Sequence, residues 1–152
     1  MKPRAFGLTD VGRCREVNQD ELLIDPALGL YAVADGMGGH AAGEVASRVA
    51  TEEIVRAFRS CPGDADETWP EHWDPARSAV ANQIVDSIIS GHQQVTLAMS
   101  SDADLKGMGT TVVVAAHQPG HDTLVVCHVG DSRAYRLRNG ILRRAEASAL
   151  QE

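Results

Sequence analysis

Three aspartates in this sequence stand at the ends of short apolar runs, where a buried strand would pass into a turn. Asp20 comes just before one run, Asp35 follows the run over residues 30–34, and Asp131 follows a run that closes at Val129. Taken singly, each aspartate suits a turn, because its side chain accepts hydrogen bonds from nearby backbone amides. Taken together, the three carboxylates indicate a site for a hard cation such as magnesium, manganese or calcium. The alternating acidic spacing of an EF-hand calcium loop is absent.

Other polar groups stand close to the first two aspartates. Arg15 precedes Asp20 by one short loop, and Asp35 opens the glycine-rich turn that begins at Gly36 and ends at His40. Beside a carboxylate–metal cluster, the planar guanidinium of Arg15 could bind two phosphate oxygens at once, although a lone arginine is more commonly a solvated surface group. His40 could give a proton to a leaving alkoxide, and Gly36 would let a backbone carbonyl approach a metal ion. The turn lacks the spacing of a nucleotide-binding loop.

A predicted β-hairpin would bring Asp20 and Asp35 together. Residues 22–24 and 30–34 are predicted to be its strands, because residues 26–29 have the composition of a tight turn. Antiparallel pairing places the start of one strand beside the end of the other, so the two carboxylates would lie side by side. With Arg15 nearby, this arrangement favours metal-assisted hydrolysis of a phosphate ester.

Two amphipathic helices are predicted after the glycine turn. Apolar residues recur every three or four positions over residues 42–59 and again after Asp74-Pro75, a pair typical of a helix start. The second helix would run to about Met99 and be interrupted or weakened near Gly91. The segment over residues 61–74 follows neither period and is predicted to be a loop.

The predicted strands lie mostly in the two ends of the chain. They cover residues 6–9, 107–116, 123–129 and 134–137 in addition to the first hairpin. Asn139-Gly140 is typical of a two-residue hairpin turn, with residues 141–142 starting the partner strand. Residues 143–152 are predicted to be a short helical tail. Strands joined by hairpins, with two helices inserted, indicate an α+β fold with antiparallel sheets.

Composition limits the classes of function. A chain of 152 residues with 43% hydrophobic residues has the size of one domain, residues 1–152. Its net charge of −7 disfavours nucleic acid as a partner. No apolar run approaches the roughly 18 residues of a membrane span, and the N-terminus lacks the apolar core of a signal peptide, which favours a cytoplasmic location.

Four segments together resemble one known family. TDVGRCREVNQD, VADGMGGHAAGEVAS, GMGTTVVVA and HVGDSRAYRLRNG are similar, in this order, to the N-terminal motifs of bacterial metal-dependent Ser/Thr protein phosphatases, protein phosphatase type 2C. The similarity extends to about residue 142. It implies an α-β-β-α sandwich, in which two antiparallel sheets are flanked by helices. It also implies a hydrolase of phosphoserine and phosphothreonine monoesters. Such an enzyme would act in signalling, on proteins that a Ser/Thr kinase has phosphorylated.

The resemblance also implies roles for individual residues. Asp35 matches the carboxylate that bridges two Mn²⁺ or Mg²⁺ ions, Gly36 matches the carbonyl ligand, and Asp20 matches the acidic group on the second metal. Asp131 matches the aspartate of a weaker third metal site. Arg15 matches the arginine that binds the substrate phosphate, and His40 is similar to the histidine of the bacterial motif, a candidate general acid.

The end of the chain departs from the family pattern. The family continues with further motifs that supply carboxylates to the first metal, whereas residues 143–152 follow another sequence. The chain is therefore expected to be a truncated domain, incomplete at its C-terminus. Open sheet edges and apolar faces would then favour self-association. A catalytically deficient relative that binds phosphoproteins or a partner chain is the alternative to an active phosphatase.

Overall fold

The structure is a computed structural model that describes residues 3–39, 42–60, 72–118 and 120–145. Two helices and seven strands form in the order β1 Asp20–Asp25, β2 Leu30–Met37, α1 Ala42–Ser60, α2 Ala79–Ser101, β3 Gly109–Thr110, β4 Val112–His117, β5 Leu124–Val129, β6 Tyr135–Arg138 and β7 Ile141–Arg144. The strands make one five-stranded sheet in the order β1-β2-β4-β5, with β3 paired to β2, and one two-stranded sheet of β6 and β7. All pairings are antiparallel, which confirms the predicted α+β class with two antiparallel sheets.

The main core lies between one face of the larger sheet and the two helices. Alternation along β2 buries Leu30, Ala32 and Ala34, whereas Val33 and Asp35 are exposed. The buried side of β2 packs with Ile54 of α1 and with further apolar residues of α2 and β4. The sheet therefore presents Asp35 on the face away from the helices.

Asp25 ends β1 and fastens it to α1. Its Oδ1 accepts hydrogen bonds from the backbone N–H groups of Ala27 and Leu28, each at 3.0 Å, and its Oδ2 accepts one from Arg59 at 2.9 Å. These bonds, that from Leu28 most of all, hold the pKa of Asp25 below its ordinary value of 3.8. The charged carboxylate is thus the form that the folded hairpin prefers.

An Asp25→Asn variant is expected to melt at a lower temperature than the wild type at neutral pH. Asparagine keeps an acceptor for the two amides but loses the charge that Arg59 binds. Because the folded state lowers the pKa, the stabilisation is present above the unfolded pKa and is lost as pH falls through the folded one. Thermal melts between pH 7 and pH 3 should show the difference closing at the acid end. Asp104→Asn, an exposed acid outside this contact, is the control; a pH-independent difference would contradict an ionic origin.

The helix boundaries differ from prediction at the second helix. α2 begins at Ala79, and the hydroxyl of Ser78, not the carboxylate of Asp74, accepts the capping hydrogen bond from Ala81 N–H. Asp74 instead closes a turn ahead of the helix by accepting from Ala76 N–H at 2.9 Å. A serine and an aspartate are both good capping residues, so the local pattern does not distinguish the two starts.

The expected interruption near Gly91 is also wrong, because α2 is continuous from Ala79 to Ser101. Gly91 lies against α1, where an added Cβ would be 3.2 Å from the carbonyl oxygen of Ala50. The glycine therefore lets the helices approach closely.

Two further predictions of elements are corrected. Residues 6–9 form no strand, and Gly7 lies on the side chains of Leu22 and Ile24. Arg143 and Arg144 belong to β7 rather than to a helical tail, Ala145 N–H donates to the carbonyl oxygen of Ala134, and residues 146–152 lie outside the described residues. None of the described helices has the length and hydropathy needed to cross a membrane.

Candidate metal and phosphate site

Asp20 and Asp35 are direct neighbours across the first hairpin. The pairing of β1 with β2 sets them opposite each other, as predicted. Burial raises the pKa of Asp20 most, and the charge of Asp35 and a hydrogen bond that the protonated Asp20 donates to Asp35 raise it further, whereas the charge of Arg15 partly opposes this rise. The two carboxylates repel each other at one end of the strand pair and offer only oxygen atoms as ligands. Such a pair is suited to bind a hard divalent cation, whose charge would remove the repulsion.

The segment before Asp20 is fixed to both β2 and α1 through one carbonyl. The oxygen of Gln19 accepts a hydrogen bond from Gly36 N–H at 3.0 Å and another from the Ser47 hydroxyl at 2.7 Å. Ser47 is buried in α1. These contacts hold the carboxylate pair in place, and no motif in the sequence marks Gln19 or Ser47 as part of the site.

Gly36 and Gly43 allow the start of α1 to approach the end of β2. A Cβ at Gly36 would overlap the carbonyl oxygen of Gly43 and would lie 2.6 Å from the carbonyl oxygen of Gln19. A Cβ at Gly43 would lie 3.0 Å from the carbonyl carbon of Gly36. Because Gly36 has no side chain, α1 can pack against it. Gly36, the predicted carbonyl ligand, is therefore buried next to the carboxylate pair.

Asp131 follows β5 at the end of the larger sheet where β2 ends, and Thr111 connects this segment to Asp35. Thr111 N–H donates to the carbonyl oxygen of Asp35 at 2.9 Å, and its hydroxyl is 2.6 Å from that of Ser132. Gly130 packs on Thr111 so closely that a Cβ there would be 2.7 Å from its methyl carbon. Within the described ranges, however, no three acidic, histidine or cysteine side chains gather as a metal-binding group, so Asp131 is not in one cluster with Asp20 and Asp35.

Arg15 lines a cleft beside the paired carboxylates. The cleft has a volume of about 330 Å³ and is lined by Arg15, Glu16, Val17, Gln19 and Gly38. Arg15 is exposed, and its positive charge opposes the rise in the pKa of Asp20. Gln19 in the lining directly precedes Asp20, so an anion bound by the guanidinium of Arg15 would lie near that carboxylate. His40, predicted as a proton donor, lies outside the described residues.

Known proteins that resemble this chain identify the family to which its fold and its arrangement of carboxylates, glycines and arginine belong. The sequence profile described as Protein phosphatase 2C matches residues 13–152. The chain belongs to the protein phosphatase 2C family, which confirms the resemblance seen in its motifs.

Relatives in two bacterial genera are named serine/threonine phosphatases. The serine/threonine phosphatase stp of Listeria monocytogenes is 34% identical over 142 residues, which cover 89% of this chain and 50% of the relative. The serine/threonine protein phosphatase PstP of Mycobacterium tuberculosis is 34% identical over 134 residues, which cover 88% of this chain and 23% of PstP. The chain thus spans about half the length of the Listeria relative.

Solved structures agree with these relatives. The crystal structure of Mycobacterium tuberculosis PstP/Ppp superimposes with a TM-score of 0.70 at 29% identity, over 91% of this chain and 52% of the other. The catalytic domain of PstP in complex with two manganese ions gives a TM-score of 0.69 at 31% identity, over 89% and 51% of the two chains.

Proposed function

We propose that this chain acts in a metal-dependent protein serine/threonine phosphatase, which hydrolyses phosphoserine and phosphothreonine monoesters with Mn²⁺ or Mg²⁺. The observation that carries the proposal is the cross-strand pair of Asp20 and Asp35 beside the arginine-lined cleft. Family membership and the manganese ions of the PstP structure support the metal requirement. Hydrolysis of a phosphate monoester is among the slowest uncatalysed reactions in water, so a strongly charged site is required.

In this proposal Asp20, Asp35 and the carbonyl of Gly36 hold two divalent cations, and Asp131 contributes to a weaker third site. The cations, when bound, supply positive charge and an activated water. The chain's own groups bind and orient the ester. Arg15 donates hydrogen bonds to the phosphoryl oxygens and stabilises the charge that they carry in the transition state.

His40 is proposed to give the proton that the leaving serine or threonine alkoxide needs. Imidazole is the side chain that most often serves as a general acid or base in enzymes, which suits it to this task. Its place at the end of the glycine turn, five residues after Asp35, keeps it near the carboxylates along the chain.

The substrates proposed are proteins phosphorylated by a Ser/Thr kinase, which makes the reaction part of a signalling cycle. The names of the Listeria and Mycobacterium relatives support this substrate class. A cytoplasmic location is also proposed, because protein kinases that form such esters use ATP.

Metal removal tests the proposal. Hydrolysis of p-nitrophenyl phosphate and of a phosphothreonine peptide by the purified chain should depend on added Mn²⁺ or Mg²⁺, stop with EDTA and return when metal is restored. Rates measured over a Mn²⁺ titration give the dependence, and circular dichroism shows that the protein stays folded throughout. Absence of metal-dependent hydrolysis in a folded sample would overturn the proposal.

A further inference from the structure

The most concentrated positive charge in this acidic chain lies on the second hairpin. Residues 133–145 hold five arginines and no acidic residue, whereas the whole chain has a net charge of −7. This segment contains both strands of the smaller sheet, β6 and β7. Its charge is opposite in sign to that of the rest of the molecule, so it can attract anionic groups that the remaining surface repels.

The pairing of the strands places three of the arginines on one face. Arg136 is opposite Arg143, and Arg138 is opposite Ile141, so these four residues share one side of the hairpin, the arginine face. Side chains directly opposite each other have Cβ atoms about 5 Å apart. An anionic segment on this face could therefore meet more than one guanidinium group. Arg138 and Arg143 are exposed, and within the described part of the chain neither forms an ion pair.

The hairpin is built to hold this face in one geometry. Asn139 and Gly140 both have positive φ angles, 51° and 77°, as a tight two-residue hairpin turn requires. At its open end, Ala145 N–H donates to the carbonyl oxygen of Ala134 at 2.9 Å and extends the ladder. The arginines are therefore presented from a paired backbone rather than from a loop.

The arginine face is close in the chain to Asp131. Arg138 is seven residues after Asp131, and seven residues span at most about 25 Å even when fully extended. Arg133, which is also exposed, stands between them in the chain. One extended polypeptide could therefore contact both Asp131 and the hairpin.

We infer that the arginine face binds an acidic segment of the phosphoprotein substrate, with carboxylate or phosphate groups at a distance from the phosphate that is hydrolysed. The forked guanidinium donors bind both kinds of oxyanion. A short acidic segment meets only the local positive charge, whereas a long nucleic acid would also meet the negative remainder of the chain. The role in substrate choice depends on the proposed phosphatase function; the binding surface itself does not.

Binding in the absence of metal tests the surface separately from catalysis. Labelled peptides of equal length would each carry one phosphothreonine. The first has neutral flanks, two others have a run of aspartates on the N-terminal or the C-terminal side, and the last has a second phosphothreonine. Fluorescence anisotropy in EDTA gives their affinities. We expect the acidic peptides to bind the wild type more tightly than the neutral one, and this preference should fall about tenfold in R138A/R143A. The preference should also fade as salt is raised.

The control is R48A/R77A, which removes the same charge from two exposed positions outside the hairpin. It should keep the preference for acidic peptides. Equal losses in both double variants would mean that only net charge matters and would overturn the inference, as would an R138A/R143A variant with unchanged affinities. Tighter binding of an oligonucleotide of equal charge would also overturn it, in favour of nucleic acid. If the acidic preference depends on the hairpin but metal-dependent hydrolysis is absent, the proposed function fails and the surface stands.

Discussion

Replacing Asp35 with asparagine is expected to lower metal-dependent hydrolysis by at least about 100-fold. Residues that only orient a metal ligand typically contribute about 10- to 100-fold to affinity or activity, so loss of the proposed bridging carboxylate should cost no less. The side chain of Asp35 is exposed on the face of the sheet away from the helices and is not part of the core, so the change should act on the site alone. Initial rates with p-nitrophenyl phosphate over a Mn²⁺ titration, with metal affinity from calorimetry, measure the effect.

The stability of the metal-free variant should move in the opposite direction. The negative charge of Asp35 contributes to the raised pKa of Asp20, which shows that the two carboxylates repel each other. Asparagine removes the repulsion while keeping a side chain of nearly the same shape. The melting temperature in EDTA should therefore be equal to or above that of the wild type, as is common when a functional site is made neutral.

This pair of readouts separates a site effect from unfolding. Asp104→Asn, an exposed acid outside the site, should change neither activity nor melting temperature. Full activity in Asp35→Asn would refute the bridging role. A marked fall in melting temperature would instead show that Asp35 has a structural role that the observed contacts do not include.

The carboxylate pair was predictable because its position follows from strand alternation and antiparallel pairing. Once residues 26–29 are recognised as a turn, the register that buries Leu30, Ala32 and Ala34 also places Asp35 opposite Asp20. The Asn139-Gly140 turn was predictable for a similar reason, since few residues adopt its two positive φ angles. In both places, local chemistry determines the geometry.

The supporting contacts of the site were not predictable in the same way. Thr111 reaches Asp35 through its backbone N–H, and Gln19 binds Gly36 and Ser47 through its carbonyl. Every residue except proline has these backbone groups, so the sequence carries no sign of which ones will meet. The position of Asp131 relative to Asp20 depends on pairing between strands distant in the chain, which hydrophobic periodicity does not specify.

Gly36→Ala is the second change with a large expected effect, and it acts through the backbone. The new methyl group would overlap the carbonyl oxygen of Gly43 and come within 2.6 Å of that of Gln19. Both are main-chain atoms fixed by α1 and β2, so neither can move aside as the tip of a flexible side chain can. Overpacking of this kind typically costs about 1–3 kcal/mol or more, which corresponds to a melting temperature lower by roughly 3–10 °C in a chain of this size.

Gly39→Ala is the matched control within the same turn, because a Cβ at Gly39 has no atom within 4 Å. It should leave the melting temperature unchanged. In Gly36→Ala the displaced start of α1 should also weaken metal binding, since Ser47 and Gln19 hold the carboxylate pair through the same contact. Melting curves and calorimetric Mn²⁺ titrations of the two variants test this directly. Equal behaviour of the two would mean that the close approach of α1 to β2 does not support the site; a loss confined to Gly36→Ala would show that the glycine holds helix, strand and carboxylates together.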